Sequence, residues 1–392
     1  MPTATPAPTA TPAPTPLSSV GATPPGQWTG IRWISAGAGF VDTNTGPFDT
    51  VNLFGWSRGY VGFRLRANSN SGKATDVTAF STSSADGVHW TDSRALDTSG
   101  LPYVYSISQV VQGPAGLLAV GWNGGGVCGG PPTVGGLWTS VDGLTWARVR
   151  LPADMASATV YSVDAGTTGY VATGTLKDGV RQAVWLSLDG RSWHQVPLPK
   201  PSSGAFAVDS ATDFAGGFVL AGAQRIDVGC GATEYIPSLW WSKSGIGWTR
   251  AQLPGAATSG QPWVSVNRIN DHALMAVSEA WDEKTQVSSQ QVWYSADGRK
   301  WVLVKSPSSL LNTGILTDGQ RGLMVIDPAD DHTPPTIATV GDDLTVTALS
   351  PSGDGGSGSD FSSGWTAAFG PTGVLILSSN RSELWLGVPT GS

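Results

Sequence analysis

One ten-residue pattern recurs along this chain and limits its fold more than any other feature. Leu137–Trp146 reads LWTSVDGLTW, Val184–Trp193 reads VWLSLDGRSW and Val292–Trp301 reads VWYSADGRKW. Leu239–Trp248 reads LWWSKSGIGW, with Ser244 where the others carry aspartate, and a shorter copy, Ser84–Trp90, reads SADGVHW. The copies are spaced at a near-constant interval of about 50 residues, which is the signature of a repeat architecture. Each copy has the parts of a β-hairpin. Trp-x-Ser alternates as a half-buried strand does. Asp-Gly is strong turn chemistry, because glycine accepts positive φ and aspartate hydrogen-bonds nearby backbone. A second alternating run follows, and Leu151-Pro152, Leu198-Pro199 and Leu253-Pro254 then end strand pairing.

The motif resembles the Asp-box (BNR) repeat of the sialidase-like β-propellers, whose pattern is S-x-D-x-G-x-x-[TW]. One residue is missing here between aspartate and glycine, so the turn is tighter. The resemblance spans nearly all of the chain after residue 26, and it implies a propeller in which the box is a structural turn remote from the ligand site. The positions matching the box are Ser84, Asp86, Trp90; Ser140, Asp142, Trp146; Ser187, Asp189, Trp193; Ser242, Trp248; and Ser295, Asp297, Trp301. One aspartate per repeat cannot build a shared coordination sphere, so no metal is assigned to these positions.

Upstream of each box lies a short apolar run, usually led by glycine: Gly59–Phe63, Gly116–Gly121, Gly169–Gly174, Gly217–Gly222, His272–Val277, Gly322–Ile326 and Gly373–Leu377. Near-continuous apolar runs suit strands buried on both faces. Together with the resemblance, they predict an all-β, seven-bladed propeller of four-stranded antiparallel blades over 27–392. Its last blade is formed by 360–389 plus 27–34, because Trp28-Thr-Gly-Ile31 matches the outer strand that the C-terminal segment lacks. Such a closure removes an open sheet edge.

Residues 1–26 are rich in Pro and Thr and cannot bury a core. They are expected to form a disordered, polyproline-like spacer of the kind that separates a membrane anchor from an exported domain. The expected location is extracellular or cell-envelope, with the export signal or lipid anchor absent from this chain. Charged residues make up 13% of the chain, against roughly 25% in average domains, and the net charge is −7. An acidic balance disfavours nucleic acid and anionic membranes. No apolar run approaches the ~18 residues of a transmembrane span.

In the propellers that this chain resembles, ligand sites lie on the face carrying the strand 2–3 loops. The long insertions here fall on that face: Ser35–Asp49, Trp122–Gly136, Ala223–Pro237, Glu279–Gln291 and Asp327–Pro335. Loops on a rigid scaffold are where function concentrates. Trp122, Trp281, Trp263, Tyr105 and Trp365 are the candidate ligand-binding residues, since flat rings suit carbohydrate stacking. Core packing is the competing role for each. A glycosidase would need two close carboxylates, one with a raised pKa. The candidates are Asp227, Glu234, Glu279, Asp282 and Asp327. Asp164 and Asp209 also fall at matching places in adjacent repeats, but their position at strand ends suits turn initiation.

Sialidases bind their substrate's carboxylate with three arginines and carry an R-I-P motif. The motif is missing here, and only Arg268 lies on an innermost strand, so sialidase activity is not expected. Asp42–Gly46 resembles a short calcium loop without the full ligand count. The four histidines lack zinc spacing. No metal and no cofactor are assigned. Cys128 and Cys230 are the only cysteines, each in a strand 2–3 loop on either side of one short loop. They are expected to form a disulfide rather than remain separate thiols, a bridge worth roughly 4–5 kcal/mol in the chain-entropy model. The chain is expected to be a monomeric binding module for a glycan or an envelope protein. A glycoside hydrolase or lyase, or a structural assembly factor, is the alternative.

Overall fold

A computed structural model of the chain describes residues 28–36, 50–67, 77–99, 106–123, 133–178, 180–229, 232–256, 263–282, 287–304, 313–317, 322–326, 336–340, 346–352, 365–378 and 383–390. The spacer at 1–26, the Asp42–Gly46 loop, Tyr105, Cys128, Cys230 and Asp327 lie outside the described residues.

Six sheets are four-stranded antiparallel meanders. The first blade runs through Thr50–Trp56, Gly59–Ala67, Val77–Ser84 and Arg94–Ala95. The second runs through Ser106–Gly113, Gly116–Asn123, Thr133–Ser140 and Ala147–Arg148, and the third through Thr159–Ala165, Tyr170–Thr175, Gln182–Ser187 and His194–Val196. Ala205–Phe214, Gly217–Gly229, Ala232–Ser242 and Thr249–Ala251 make the fourth. Trp263–Asn270, Ala273–Asp282, Val287–Ser295 and Val302–Val304 make the fifth. The sixth comprises Thr313–Thr317, Gly322–Ile326, Thr336–Val340 and Val346–Ala348.

The expectation of seven four-stranded antiparallel blades is corrected: among the described residues six blades have that form, not seven. Where the chain ends meet, the sheet has five strands in the order Ser350–Ser352, Gly30–Ser35, Leu384–Thr390, Gly373–Ser378, Trp365–Gly370. Gly30–Ser35 pairs antiparallel with Leu384–Thr390 and parallel with Ser350–Ser352. The outer edge of the N-terminal strand would otherwise expose unpaired backbone groups. Chain leaving the sixth blade covers it and supplies the extra, parallel strand.

The repeated turn is built the same way in each full copy. In the second blade, the Gly143 amide donates to Ser140 Oγ at 2.9 Å, and the Leu144 and Thr145 amides donate to Asp142 Oδ1 at 2.9 and 2.7 Å. Asp86, Asp189 and Asp297 repeat this grip on two amides. Gly143 sits at φ +74°, a left-handed conformation that explains glycine after the aspartate. The closing indole finishes the turn, as Trp146 Nε1 donates to the Gly143 carbonyl at 3.1 Å. In the fourth blade Ser244 replaces the aspartate, and Trp248 Nε1 turns instead to the Pro197 carbonyl at 2.8 Å.

Between blades the core is continuous. Trp138, Trp185 and Trp293 recur at one position and are fully buried. Their indole N–H groups donate to Asp97 O, Asp154 Oδ2 and Pro254 O, so each ring also fixes the chain that enters its blade. Polar staples join neighbouring blades. Tyr60 and Tyr170 donate to the Gly373 and Gly116 carbonyls at 2.8 and 2.9 Å. Gln109 Oε1 accepts from the Val163 amide, and Ser210 Oγ accepts from the Val266 amide.

Candidate functional site

The innermost strands leave a central channel holding a cavity of about 370 Å³. Strand register sorts its wall into levels. Asp164 pairs with Val171, Thr212 with Val219 and Arg268 with Leu274, equivalent positions in the third, fourth and fifth blades. The matching residues of the first, second and closing sheets are Phe54, Val111 and Ala368. Of these residues Asp164 and Arg268 line the cavity as charged groups and Phe54, Val111 and Ala368 as apolar ones, while Thr212 is buried.

Asp164 is half-buried and lines the channel cavity. Burial pushes its carboxyl above the usual range, while the positive charge of Arg268 and hydrogen bonds from Thr212 and Ala165 pull it back down. Among the described residues the Arg268 guanidinium makes no hydrogen bond and no contact-distance ion pair. The two charges feel each other across the channel without touching.

One strand position further along, Asp213 is fully buried. Its Oδ2 accepts from the Thr168 and Gly169 amides at 3.0 and 2.7 Å, stapling the turn of the third blade. Burial raises its pKa to about 6, the Gly169 amide opposes that rise, and the neighbouring Asp164 charge adds to it. Sequence reasoning missed Asp213. The available signal was its position one residue from the strand end, where Gln112 of the second blade similarly accepts from the Ser57 amide at 2.9 Å.

The supposed equivalence of Asp164 and Asp209 does not hold. Asp209 is the extra residue of a β-bulge between Val208 and Ser210 and corresponds to Tyr161, the bulge residue of the third blade. The insertion expected over Ala223–Pro237 is a projecting hairpin. Pairing continues to Gly229↔Ala232, because Arg225–Val228 alternates polar and apolar side chains as a strand does. Ile226 pairs with Glu234, and Asp227 pairs with Thr233. Strand alternation therefore places Asp227 and Glu234 on opposite faces. Glu279 and Asp282 lie on the second strand of the fifth blade, paired with Gln290 and Val287.

Of the candidate rings, Trp263 opens the innermost strand of the fifth blade and is 37% exposed. Its ring lies 5.5 Å from that of Tyr235, tilted by 36°. Tyr235 stands on the projecting hairpin of the fourth blade, paired with Arg225. Trp263 precedes the channel-lining Val266 by three positions, about 10 Å at ~3.3 Å per residue, on the face carrying the strand 2–3 connections. Trp365 is half-buried against the apolar cluster of the closing sheet. Trp122 pairs with Ser106 and Trp281 with Ser288 through the backbone, and their side chains lie outside those described.

No protein-family model matches the sequence, and no curated protein matches it. Among solved structures, streptogramin B lyase superposes with a TM-score of 0.51 at 10% identity, covering 93% of this chain and 99% of that one. The fold is a β-propeller. At that identity the likeness extends to fold alone. An α-L-arabinofuranosidase from Fusarium graminearum is also similar, with a TM-score of 0.43, 12% identity and coverage of 82% and 96%. Trypanosoma rangeli sialidase gives 0.35, 12% identity and coverage of 71% and 52%. Among the described residues no helix is long and apolar enough to cross a membrane, and no group of three or more His, Cys, Asp or Glu could hold a metal ion.

Proposed function

We propose that this propeller is an exported, envelope-tethered binding module that holds a glycan on the face carrying its long strand 2–3 connections. The observation that carries the reading is the Trp263–Tyr235 pair. A tryptophan that is 37% exposed and braced by a tyrosine from the adjacent blade presents a rigid flat surface beside a channel mouth. Rings held this way lose little freedom on binding and stack on the apolar face of a sugar.

The carboxylates support binding over turnover. Asp227 and Glu234 point to opposite sides of their hairpin. Asp213 gives Oδ2 to two backbone amides and does not line the cavity, which among the described residues leaves Asp164 without a second carboxylate beside it there. A glycoside hydrolase would need such a pair about 5–10 Å apart around a sugar. Export would also favour a bridge between Cys128 and Cys230.

A glycan-array screen of the purified chain tests the reading. The expected result is retention of a defined glycan set, with affinity lowered about 30-fold or more in Trp263→Ala, the loss typical of a stacked aromatic anchor. An array that retains nothing would rule out the glycan and turn attention to an envelope protein. Unchanged affinity in Trp263→Ala would refute the platform.

A further inference from the structure

The channel cavity has a division of labour that the aromatic platform does not use. Its polar wall comes from Gln109, Ser162, Asp164, Ser210, Asn267 and Arg268. Gln109 and Ser210 already accept amides of neighbouring strands. Among the described residues, Asp164 and Arg268 are the only charged side chains facing the space, and they are not in contact with each other. The rest of the lining is mostly apolar, with Phe54, Val110, Val111, Ala367 and Ala368 beside the single hydroxyl of Thr366.

Each feature narrows the chemistry of an occupant. A lone anion would find Arg268 but would also meet the Asp164 carboxylate. A lone cation would find Asp164 but be repelled by Arg268. An uncharged polyol would leave most of its hydroxyls against Phe54, Val110 and Val111, where they have no partners. A molecule with both charges at one end and an apolar body at the other matches all of the lining. The volume of about 370 Å³ falls within the range of small-molecule sites, roughly 300–1,000 Å³.

We propose that the channel binds a small apolar amino acid or similar zwitterion, with its carboxylate on Arg268, its ammonium on Asp164 and its apolar body against Phe54 and Val111. The site is separate from the Trp263–Tyr235 platform and does not depend on it.

Isothermal titration of the full chain tests this with L-leucine and L-phenylalanine as probes. Controls are 4-methylpentanoate, 3-methylbutylamine and glucose. One or both amino acids should bind at least tenfold more tightly than any control, because each control forfeits a charge-assisted contact or the apolar one. Arg268→Gln and Asp164→Asn should each weaken binding about tenfold or more. Asn267→Trp, at a polar position exposed to the channel, should abolish binding by filling the cavity. It leaves the charged pair in place and decides the matter if either charge variant fails to fold. Absence of heat with both amino acids would overturn the proposal. So would equal binding of the carboxylate or amine alone, binding of glucose in their place, or wild-type affinity in Asn267→Trp.

Discussion

Replacing Trp33 with alanine should lower the free energy of unfolding by about 3–5 kcal/mol, the usual cost of emptying a buried tryptophan site. Trp33 is only 5% exposed and sits on the N-terminal strand, paired with Gly387 of the C-terminal strand. With Trp28 and Ile31 it belongs to the apolar cluster that also holds Phe369, Val374 and Ile376. The ring therefore closes through packing as well as backbone pairing. Gly387 shows how tight the joint is. A Cβ there would lie 2.8 Å from Trp33 Cζ3 and would also collide with Ile31. Gly387→Ala should accordingly destabilise too, by overpacking rather than by a cavity, at a cost of about 1–3 kcal/mol. Urea unfolding of both variants checks this. A loss below about 1 kcal/mol in Trp33→Ala would mean that the N-terminal strand is not part of the closure.

The second large effect is a gain. Asp213→Asn should stabilise the protein at pH 8 by on the order of 3 kcal/mol, since each unit of pKa shift corresponds to about 1.4 kcal/mol. The native carboxyl titrates near 6 against an ordinary 3.8. The folded state thus holds this proton more tightly than the unfolded state does. Below pH ~4 both states are protonated and the group costs nothing. Through the window from about 4 to 6 the penalty grows, and above it both states are ionised and the full cost is present. Asparagine keeps an oxygen for the Thr168 and Gly169 amides without the buried charge. Its advantage should be full at pH 8 and gone at pH 4. Destabilisation at both pH values would show that the carboxylate itself is required.

The turn aspartates act in the opposite direction. The Ser192 amide, above all, holds Asp189 well below the usual carboxylate range. In Asp142 partial burial pushes upward, but the Thr145 and Leu144 amides outweigh it. Their contribution is present above the unfolded value and is lost as pH falls through the acid range. The two kinds of aspartate together place maximum stability of the wild-type chain between about pH 4 and 6.

The outer hairpins were legible in the sequence because Ser-x-Asp-Gly-x-x-Trp is a local device. Its hydrogen bonds run between Ser140, Asp142 and Gly143–Thr145, residues that are adjacent in the chain. The meeting of the chain ends was legible from Trp28–Ile31 for the same reason, as a fragment of the same repeat. The fifth, parallel strand at Ser350–Ser352 was not, because it carries no box and is held by backbone pairing and one bond from the Ser352 hydroxyl to the Ile31 carbonyl. The channel was least legible. Asp164, Thr212 and Arg268 share a level only after bulges at Tyr161, Asp209 and Ile269 shift each strand by one residue. A bulge leaves little trace in one sequence, and a one-residue slip changes which side chains meet. Tyr235 was also missed as the partner of Trp263. Its segment resembles a loop by its glycines and proline, yet it continues the ladder.

The Trp263–Tyr235 face is proposed to bind a glycan and leave it intact. The direct measurement is mass spectrometry of any glycan retained on the array after prolonged incubation with a stoichiometric amount of protein. The account predicts full recovery of the unaltered glycan with wild-type protein, and no retention with Trp263→Ala. Cleaved or eliminated products that appear with wild-type protein and vanish when a single carboxylate is replaced would contradict it.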